Sequence, residues 1–481
     1  MDERPDQKPP KRYEALADEI AASIRSGALR AGDRLPSVRQ ASAARRVSPS
    51  TVFEAYYLLE ARGLIAARPR SGYYVTAPQP VAPQRMPEPA QPAGEVQAVA
   101  VAERVQQLLG LARERDLVPL GSAFPSPALF PLATLSRALG RAMRVLDPWR
   151  TVEDLSPGHE GLRRQIAIRY IGAGFSLDPA ELVICNGAME ALNLCLEAVT
   201  RPGDLVAVES PCFYGALQAL ERLGLSAVEV ATDPRSGVDL GSLAALLERH
   251  PVKACWLMPN FQNPLGSLMS IENKRALVAL LRERGVPLIE DDVYGELYFG
   301  ERRPPPAKAF DEAGLVLHCS SFSKTLAPGY RVGWAAAGRF APEVARRKLM
   351  SSLSAAVPSQ EGLAEYLRHG AYDRHLRQLR RTLADSQARA LRAIDKHFPP
   401  GTRVTRPEGG YFCWVELPPQ VDALALHWFA LSHRISVAPG ALFSADQRFR
   451  HHLRINYGHP EGGRTEAALK TLGQLARSLC A

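Results

Sequence analysis

Ser320-Ser321-Phe322-Ser323-Lys324-Thr325-Leu326-Ala327-Pro328-Gly329-Tyr330-Arg331-Val332-Gly333 places one lysine among three serines, with an arginine seven residues on. A lysine that condenses with an aldehyde has to be desolvated enough to be neutral and nucleophilic. Hydroxyls and a guanidinium close by suit a phosphate, because Arg presents a fork of donors to a dianion. Pro328-Gly329 is a turn signal that would bring Arg331 back towards Lys324. Taken alone, the same residues also fit a solvated surface loop, so the reading depends on what surrounds them.

Immediately upstream lies the apolar run Leu315-Val316-Leu317-His318. Four others precede it: Leu182-Val183-Ile184-Cys185, Leu205-Val206-Ala207-Val208, Ala254-Cys255-Trp256-Leu257-Met258 and Pro287-Leu288-Ile289. Helical patterns separate them, such as Ala216 to Leu223 and Asn273 to Arg284. Buried strands alternating with helices predict an α/β fold, a mainly parallel sheet with helices on both faces. Ligands of such sheets sit at the C-terminal ends of the strands.

Candidate residues fall at those ends. Asn186-Gly187-Ala188-Met189-Glu190 follows the first run and opens a helix, where free N–H groups can meet a phosphate. Glu209-Ser210-Pro211-Cys212-Phe213-Tyr214 follows the second, with an aromatic able to stack on a flat ring or simply to fill the core. Pro259-Asn260-Phe261-Gln262-Asn263-Pro264 follows the third and offers a fixed amide. Glu290-Asp291-Asp292-Val293-Tyr294 follows the fourth; three acids after a buried strand are costly unless paired or hydrogen-bonded. Lys324 follows the fifth.

Together these segments closely resemble the fold-type I, class I aminotransferases that use pyridoxal 5′-phosphate (PLP). Glu160-Gly161-Leu162-Arg163, Gly203-Asp204-x-Val206-x-Val208-Glu209-x-Pro211 and Gly409-Gly410-Tyr411-Phe412-x-Trp414 belong to the same resemblance. It implies that Lys324 condenses with the cofactor aldehyde and that Asp291 keeps the pyridine nitrogen protonated. It further implies that Asn263 and Tyr294 bond the ring hydroxyl and that Phe213 stacks on the ring. Ser321, Ser323, Arg331 and the N–H groups of Ala188 and Met189, beyond Gly187, would hold the phosphate. Arg454, in His452-Leu453-Arg454-Ile455, would clamp an amino-acid carboxylate. Two departures stand out: Glu153 and Ser156 replace the usual tyrosine and proline near the Gly-x-x-x-Leu-Arg element, and Ala123 replaces a glycine. This aminotransferase-like domain, with a smaller C-terminal α+β subdomain, is expected over 116–481.

Upstream of it, prolines at 78, 80, 83, 87, 89 and 92 predict a semi-rigid extended linker, assigned to 77–115. An amphipathic stretch with Val101, Val105, Leu108 and Leu109 lies within it. The first 76 residues read differently. Leu16, Ile20 and Ile24 share one helical face, Pro36-Ser37 opens a second helix, and Ser48-Pro49 caps a third. In that third helix Val52, Ala55 or Tyr56, and Leu59 face inward, while Ser50, Thr51 and Phe53 stay outside. Two short β runs around Arg68-Pro69-Arg70-Ser71-Gly72 read as a hairpin. Three helices and a hairpin make a winged helix-turn-helix. Eight arginines from 30 to 70 outnumber three acids, which fits a phosphate-facing surface and equally a small helical domain with a solvated basic face.

Leu29-x-x-Gly32-Asp33-x-Leu35-Pro36-Ser37-x-Arg39 and Val47-Ser48-x-x-Thr51-Val52-x-x-Ala55-Tyr56-x-x-Leu59-x-x-x-Gly63-Leu64 closely resemble the GntR-type DNA-binding domain. The resemblance implies double-stranded DNA as partner, with contacts from Arg39, Ser48, Ser50, Thr51, Arg70 and Gly72. Pro49 stands where relatives often place a side-chain donor.

The chain has 481 residues, 46% hydrophobic, with a formal net charge of +9, which suits a polyanionic partner. Seven cysteines without C-x-x-C spacing read as reduced core residues and offer no metal site. A polar start and the lack of a long apolar run predict a cytoplasmic protein without membrane segments. A GntR-type domain, a proline-rich linker and an aminotransferase-like domain, in that order, resemble the MocR family of transcription regulators. That resemblance implies a head-to-tail homodimer with PLP or a small amino compound as effector. The alternative is a working amino-acid aminotransferase, using a 2-oxo acid acceptor, with an accessory DNA-binding domain.

Overall fold

The computed structural model describes residues 12–26, 28–61, 64–68, 71–76, 85–110, 116–460 and 463–480. Two compact units divide between Ala82 and Pro83.

In the first unit, helices α1 (Arg12–Arg25), α2 (Val38–Arg45) and α3 (Pro49–Ala61) precede strands β1 (Ile65–Arg68) and β2 (Gly72–Val75). Leu16, Ile20 and Ile24 of α1 meet Val52, Ala55, Tyr56 and Leu59 of α3 in one apolar core. Both Ala55 and Tyr56 are buried, so the inward stripe is wider than a single alternative, and the Tyr56 hydroxyl donates to Pro36 O at 2.9 Å. Ser37 caps α2 in a capping box with Gln40. The hairpin is antiparallel, with Ile65 opposite Val75 and Arg68 opposite Gly72. The winged helix-turn-helix expectation therefore holds in both its helices and its wing.

The second unit is built on a nine-stranded sheet. The strands 226–233, 205–210, 252–257, 288–291 and 316–321 run parallel in that spatial order. The strand Gly333–Ala336 is antiparallel to both its neighbours, 316–321 and Leu182–Cys185. All five apolar runs named above are strands of this sheet. Helices such as Ala188–Val199, Tyr214–Leu223 and Ile271–Arg284 pack their buried stripes against it. A four-stranded sheet nearer the C-terminus pairs Phe412–Glu416 with His452–Asn456.

Residues 85–110 lie on this second unit. Strand β3 (Val96–Ala98) adds antiparallel to the sheet edge at 226–228. Helix α4 (Ala102–Gly110) follows, capped by Glu221, whose carboxylate accepts the N–H groups of Val101 and Ala102 at 2.6 and 2.8 Å. Val101 and Val105 are buried in the main core. The proline count conceals this docking, because it reports on backbone stiffness and not on which side chains find a partner. Residues 77–84 and 111–115 of the expected linker lie outside the described residues. Six of the seven cysteines are buried and free; Cys480 is exposed. Among the described residues no helix is long and apolar enough to cross a membrane.

Candidate active site and DNA-binding surface

Strand periodicity explains how three acids survive at the end of one buried strand. Side chains alternate between sheet faces, so 290 and 292 point one way and 291 the other. Glu290 takes the His318 ring at 2.9 Å and the N–H groups of Ala307 and Lys308 at 2.5 and 3.1 Å. Asp292 takes Asn260 Nδ2 at 2.9 Å and Arg303 Nη2 at 3.3 Å. Both are thus paired. Asp291 faces a cleft instead, and its Oδ1 is buried without a partner. Burial, and then the charge of Asp292, push its carboxyl up to about 7.

The cleft has about 530 Å³ of empty volume and gathers Ala188, Met189, Phe213, Asn263, Asp291, Tyr294, Ser321, Ser323, Lys324 and Arg331 from every strand end named by the sequence. Gly187 and Arg454 are not among these lining residues but adjoin them, Gly187 against Arg331 and Arg454 bonded to Asn263. The strands 288–291 and 316–321 are parallel neighbours, so their C-terminal ends bring Asp291 and Lys324 to one edge. Lys324 Nζ donates to Ala123 O at 2.9 Å and sits 3.7 Å from the centre of the Phe124 ring. Burial, followed by the nearby charge of Arg454, lowers its ammonium from 10.5 to about 7. A near-neutral amine beside a buried carboxyl is what a lysine nucleophile needs.

Pro328-Gly329-Tyr330 forms a short 3-10 turn, and Arg331 then adopts φ 51 as the chain reverses into the antiparallel strand. That reversal returns Arg331 to the cleft edge, where Nη2 donates to Asn186 O at 2.7 Å. Gly187, at φ +92, caps the helix Ala188–Val199. A Cβ at 187 would lie 2.5 Å from Arg331 Nη2, so glycine is what lets guanidinium and helix N-terminus converge. Ser321 Oγ accepts the Ser323 N–H at 3.3 Å, and Ser323 Oγ is buried without a partner.

Arg454 is fully buried. Its guanidinium lies 4.2 Å from the Phe412 ring centre and donates only to neutral oxygens: Asn263 Oδ1 at 3.1 Å, Gly121 O at 2.7 Å and Ser122 O at 3.2 Å. Its Nε has no partner. A buried cation held by carbonyls alone, with a donor left over, is matched to an incoming carboxylate.

Sequence reasoning missed part of this wall. Tyr411 donates to the same Ala123 oxygen that receives Lys324, at 3.1 Å, and packs edge-on against Tyr294 at 5.5 Å. Gly409-Gly410 before it was the available signal, since a Cβ at 409 would lie 2.6 Å from the Phe261 ring. Asp154, His159 and Glu361 also bring ligand atoms within 4.8 Å of one another. Arg150 Nη1 lies 3.2 Å from Glu361, and His159 Nδ1 caps a helix at Leu162 N, so this cluster is internally paired.

In the first unit Arg39, Ser48 and Ser50 are exposed on α2 and at the start of α3, and Thr51 is half-buried beside them. Gly72 has φ +105 and lies against the Arg34 side chain. Arg70 lies outside the described residues.

The family model for aminotransferase class I and II matches residues 155–470. The chain belongs to that family. A second model, bacterial regulatory proteins of the gntR family, matches residues 12–75. An uncharacterized HTH-type transcriptional regulator of Escherichia coli, YdcR, is 49% identical over 466 residues, 97% of this chain and 99% of that protein. The 2-aminoadipate transaminase of Thermus thermophilus is 32% identical over 393 residues, 81% of this chain and 96% of that protein. Among solved structures, an alpha-aminoadipate aminotransferase from the same organism, complexed with N-(5′-phosphopyridoxyl)-L-leucine, superposes with a TM-score of 0.70 at 30% identity. That match covers 79% of this chain and 99% of the other. A multiple substrate aminotransferase from Thermococcus profundus superposes at 0.73 with 26% identity, covering 79% and 96%.

The chain is therefore a gntR-family DNA-binding domain fused ahead of an aminotransferase domain, the MocR type of regulator. Pyridoxal 5′-phosphate is the cofactor of this domain. The cleft fits it: the partnerless Asp291 Oδ1 suits a protonated ring nitrogen, and the partnerless Ser323 Oγ beside a glycine-opened helix N-terminus suits a phosphate.

Proposed function

We propose that the chain is a DNA-binding transcription regulator whose PLP-bearing domain senses PLP or a small amino compound. One observation carries the reading: an intact winged helix-turn-helix and a fully furnished PLP cleft share a chain that matches a regulator along nearly its whole length.

Bound PLP supplies an aldehyde and an electron-accepting ring. Lys324, a buried and near-neutral amine, would be the group that takes up the aldehyde. Asp291 would keep a proton on the ring nitrogen, and Asn263 and Tyr294 would bond the ring hydroxyl. Ser321, Ser323, Arg331 and the N–H groups of Ala188 and Met189 hold the phosphate across Gly187, while Phe213 covers the ring face. Arg454 exchanges its carbonyl partners for the carboxylate of an amino compound. Such a ligand shifts the protein between arrangements by no more than its difference in affinity for them. Arg39, Ser48, Ser50, Thr51 and Gly72 are the DNA contacts of this reading, together with Arg70, which lies outside the described residues.

A head-to-tail homodimer completes the proposal. Trp149, Val152, Leu155, Met350 and Leu353 support it, because apolar side chains 44 to 73% exposed on one unit call for a partner surface.

A working aminotransferase is the second reading, favoured by the complete set of reactive side chains in the cleft. Multiple-turnover assays against an amino-acid panel with 2-oxoglutarate separate the two. Turnover near one per second, within the ordinary enzyme range, favours the enzyme. A single stoichiometric exchange without turnover favours the sensor.

A further inference from the structure

Among the described residues of α3, Phe53 is the large apolar side chain left exposed to a duplex. Val52, Ala55, Tyr56 and Leu59 commit the inward face to the core at 0 to 1% exposure. Ser50 and Phe53, three residues apart, share the opposite side, and Phe53 is 53% exposed. The hydroxyls at the helix start are largely engaged with one another. Ser48 Oγ lies 2.8 Å from both Ser50 Oγ and Thr51 Oγ1, and it accepts the Thr51 N–H at 3.2 Å. Pro49 adds no donor. These mutual bonds tie up part of the hydroxyls' donor capacity over the first turn, while a large exposed ring stands one step further on.

We infer that Phe53 is a specificity-determining residue of the DNA-binding surface, and that it packs on a thymine 5-methyl group in the major groove. Among the base edges of that groove, the thymine methyl is the apolar feature an aromatic side chain can recognise. Exposed Arg39 and Arg46 on the adjoining segment supply positive charge for the flanking phosphates. The inference rests on the DNA-binding part of the proposed function.

The test uses the full-length PLP-loaded protein and the intergenic duplex upstream of its own gene. A second copy of the duplex has every thymine replaced by deoxyuridine, which removes only the methyl. Wild type binds the thymine duplex more tightly, by about fourfold per contacted methyl, the effect of roughly 0.8 kcal/mol for one buried carbon. Phe53→Ala binds the thymine duplex more weakly and no longer distinguishes the two, whereas Phe53→Leu keeps part of the preference. Retained PLP absorbance in both variants reports folding of the second unit, and unchanged helix content by circular dichroism reports folding of the first. Equal wild-type affinity for the two duplexes, or undiminished discrimination by Phe53→Ala, overturns the role of Phe53 while leaving DNA binding intact. Absence of wild-type binding to the thymine duplex overturns the DNA-binding reading itself.

Discussion

Arg454 Nη1 donates to Asn263 Oδ1 at 3.1 Å. The bond joins the small C-terminal sheet to the turn that ends the 252–257 strand, so the amide proposed to meet the ring hydroxyl also anchors the arginine proposed to bind a carboxylate. Asn263→Ala should leave a buried guanidinium proton without a partner, at a cost of about 1–3 kcal/mol. The expected outcome is weaker PLP binding together with a weaker spectral response to amino compounds, measured by titration on one protein sample. Loss of one response without the other would separate the two roles.

Asp291 is the acid of its trio with a carboxylate oxygen, Oδ1, buried without a partner. Asp291→Ala removes the buried group that matches the ring nitrogen. A hydrogen bond to a charged group contributes about 1.5–3 kcal/mol, so PLP affinity should fall roughly thirtyfold. Asp292→Asn should act differently, breaking the pair with Arg303 and lowering thermal stability before it affects cofactor affinity.

Lys324 is neutral above about pH 7 in the folded chain, against 10.5 ordinarily. The rate at which cofactor-free protein captures PLP should therefore rise as pH climbs through about 7 and then level off; a normal lysine would keep gaining to about 10. Between about 7 and 10.5 the unfolded chain holds a proton here that the folded chain lacks, so stability of the cofactor-free protein should rise with pH across that window. Lys324→Met should remove this part of the slope and abolish the visible absorbance of the covalently held cofactor after dialysis. Asp291 has the opposite sign. Its folded pKa of about 7 exceeds 3.8, so its contribution to stability is lost as pH rises towards 7, below the lysine's window.

Gly187→Ala should place a Cβ 2.5 Å from Arg331 Nη2 at a φ of +92. A residue forced into that conformation costs on the order of 1 kcal/mol or more, and it displaces the guanidinium proposed to hold the phosphate. Urea unfolding should show the stability loss, and PLP titration the loss of affinity. Unchanged PLP affinity would remove Arg331 from the phosphate cradle.

Arg39→Ala should weaken DNA binding without altering PLP absorbance. If Arg39 contacts one phosphate, the slope of log affinity against log salt should fall by about 0.9. An unchanged slope would take α2 away from the DNA backbone.

The strands and their ends were legible because each apolar run is short, continuous and followed by residues that a buried strand cannot ordinarily end on, such as Glu290-Asp291-Asp292. Which acid is the unpaired one was not legible: that depends on His318, Arg303 and Asn260, residues far apart in sequence that the sheet brings together. Ala123 stands out in sequence as a replaced glycine, yet its contribution is a backbone oxygen shared by Lys324 and Tyr411, which no side-chain pattern announces. Residues 85–110 read as linker because prolines dominate the composition, whereas burial of Val101 and Val105 against the main core decides where that segment sits.

In the proposed regulator, the state of the PLP cleft governs DNA binding. The direct measurement is the affinity of the full-length protein for its own upstream duplex, taken cofactor-free, PLP-loaded, and PLP-loaded with each amino compound that shifts the visible spectrum. At least one of these states should change DNA affinity at least fivefold, roughly the low end of ordinary allosteric coupling, and Arg454→Ala should abolish the amino-compound effect while leaving the PLP-loaded affinity in place. Identical DNA affinity in every state, with steady transamination of the same compounds, would contradict this coupling.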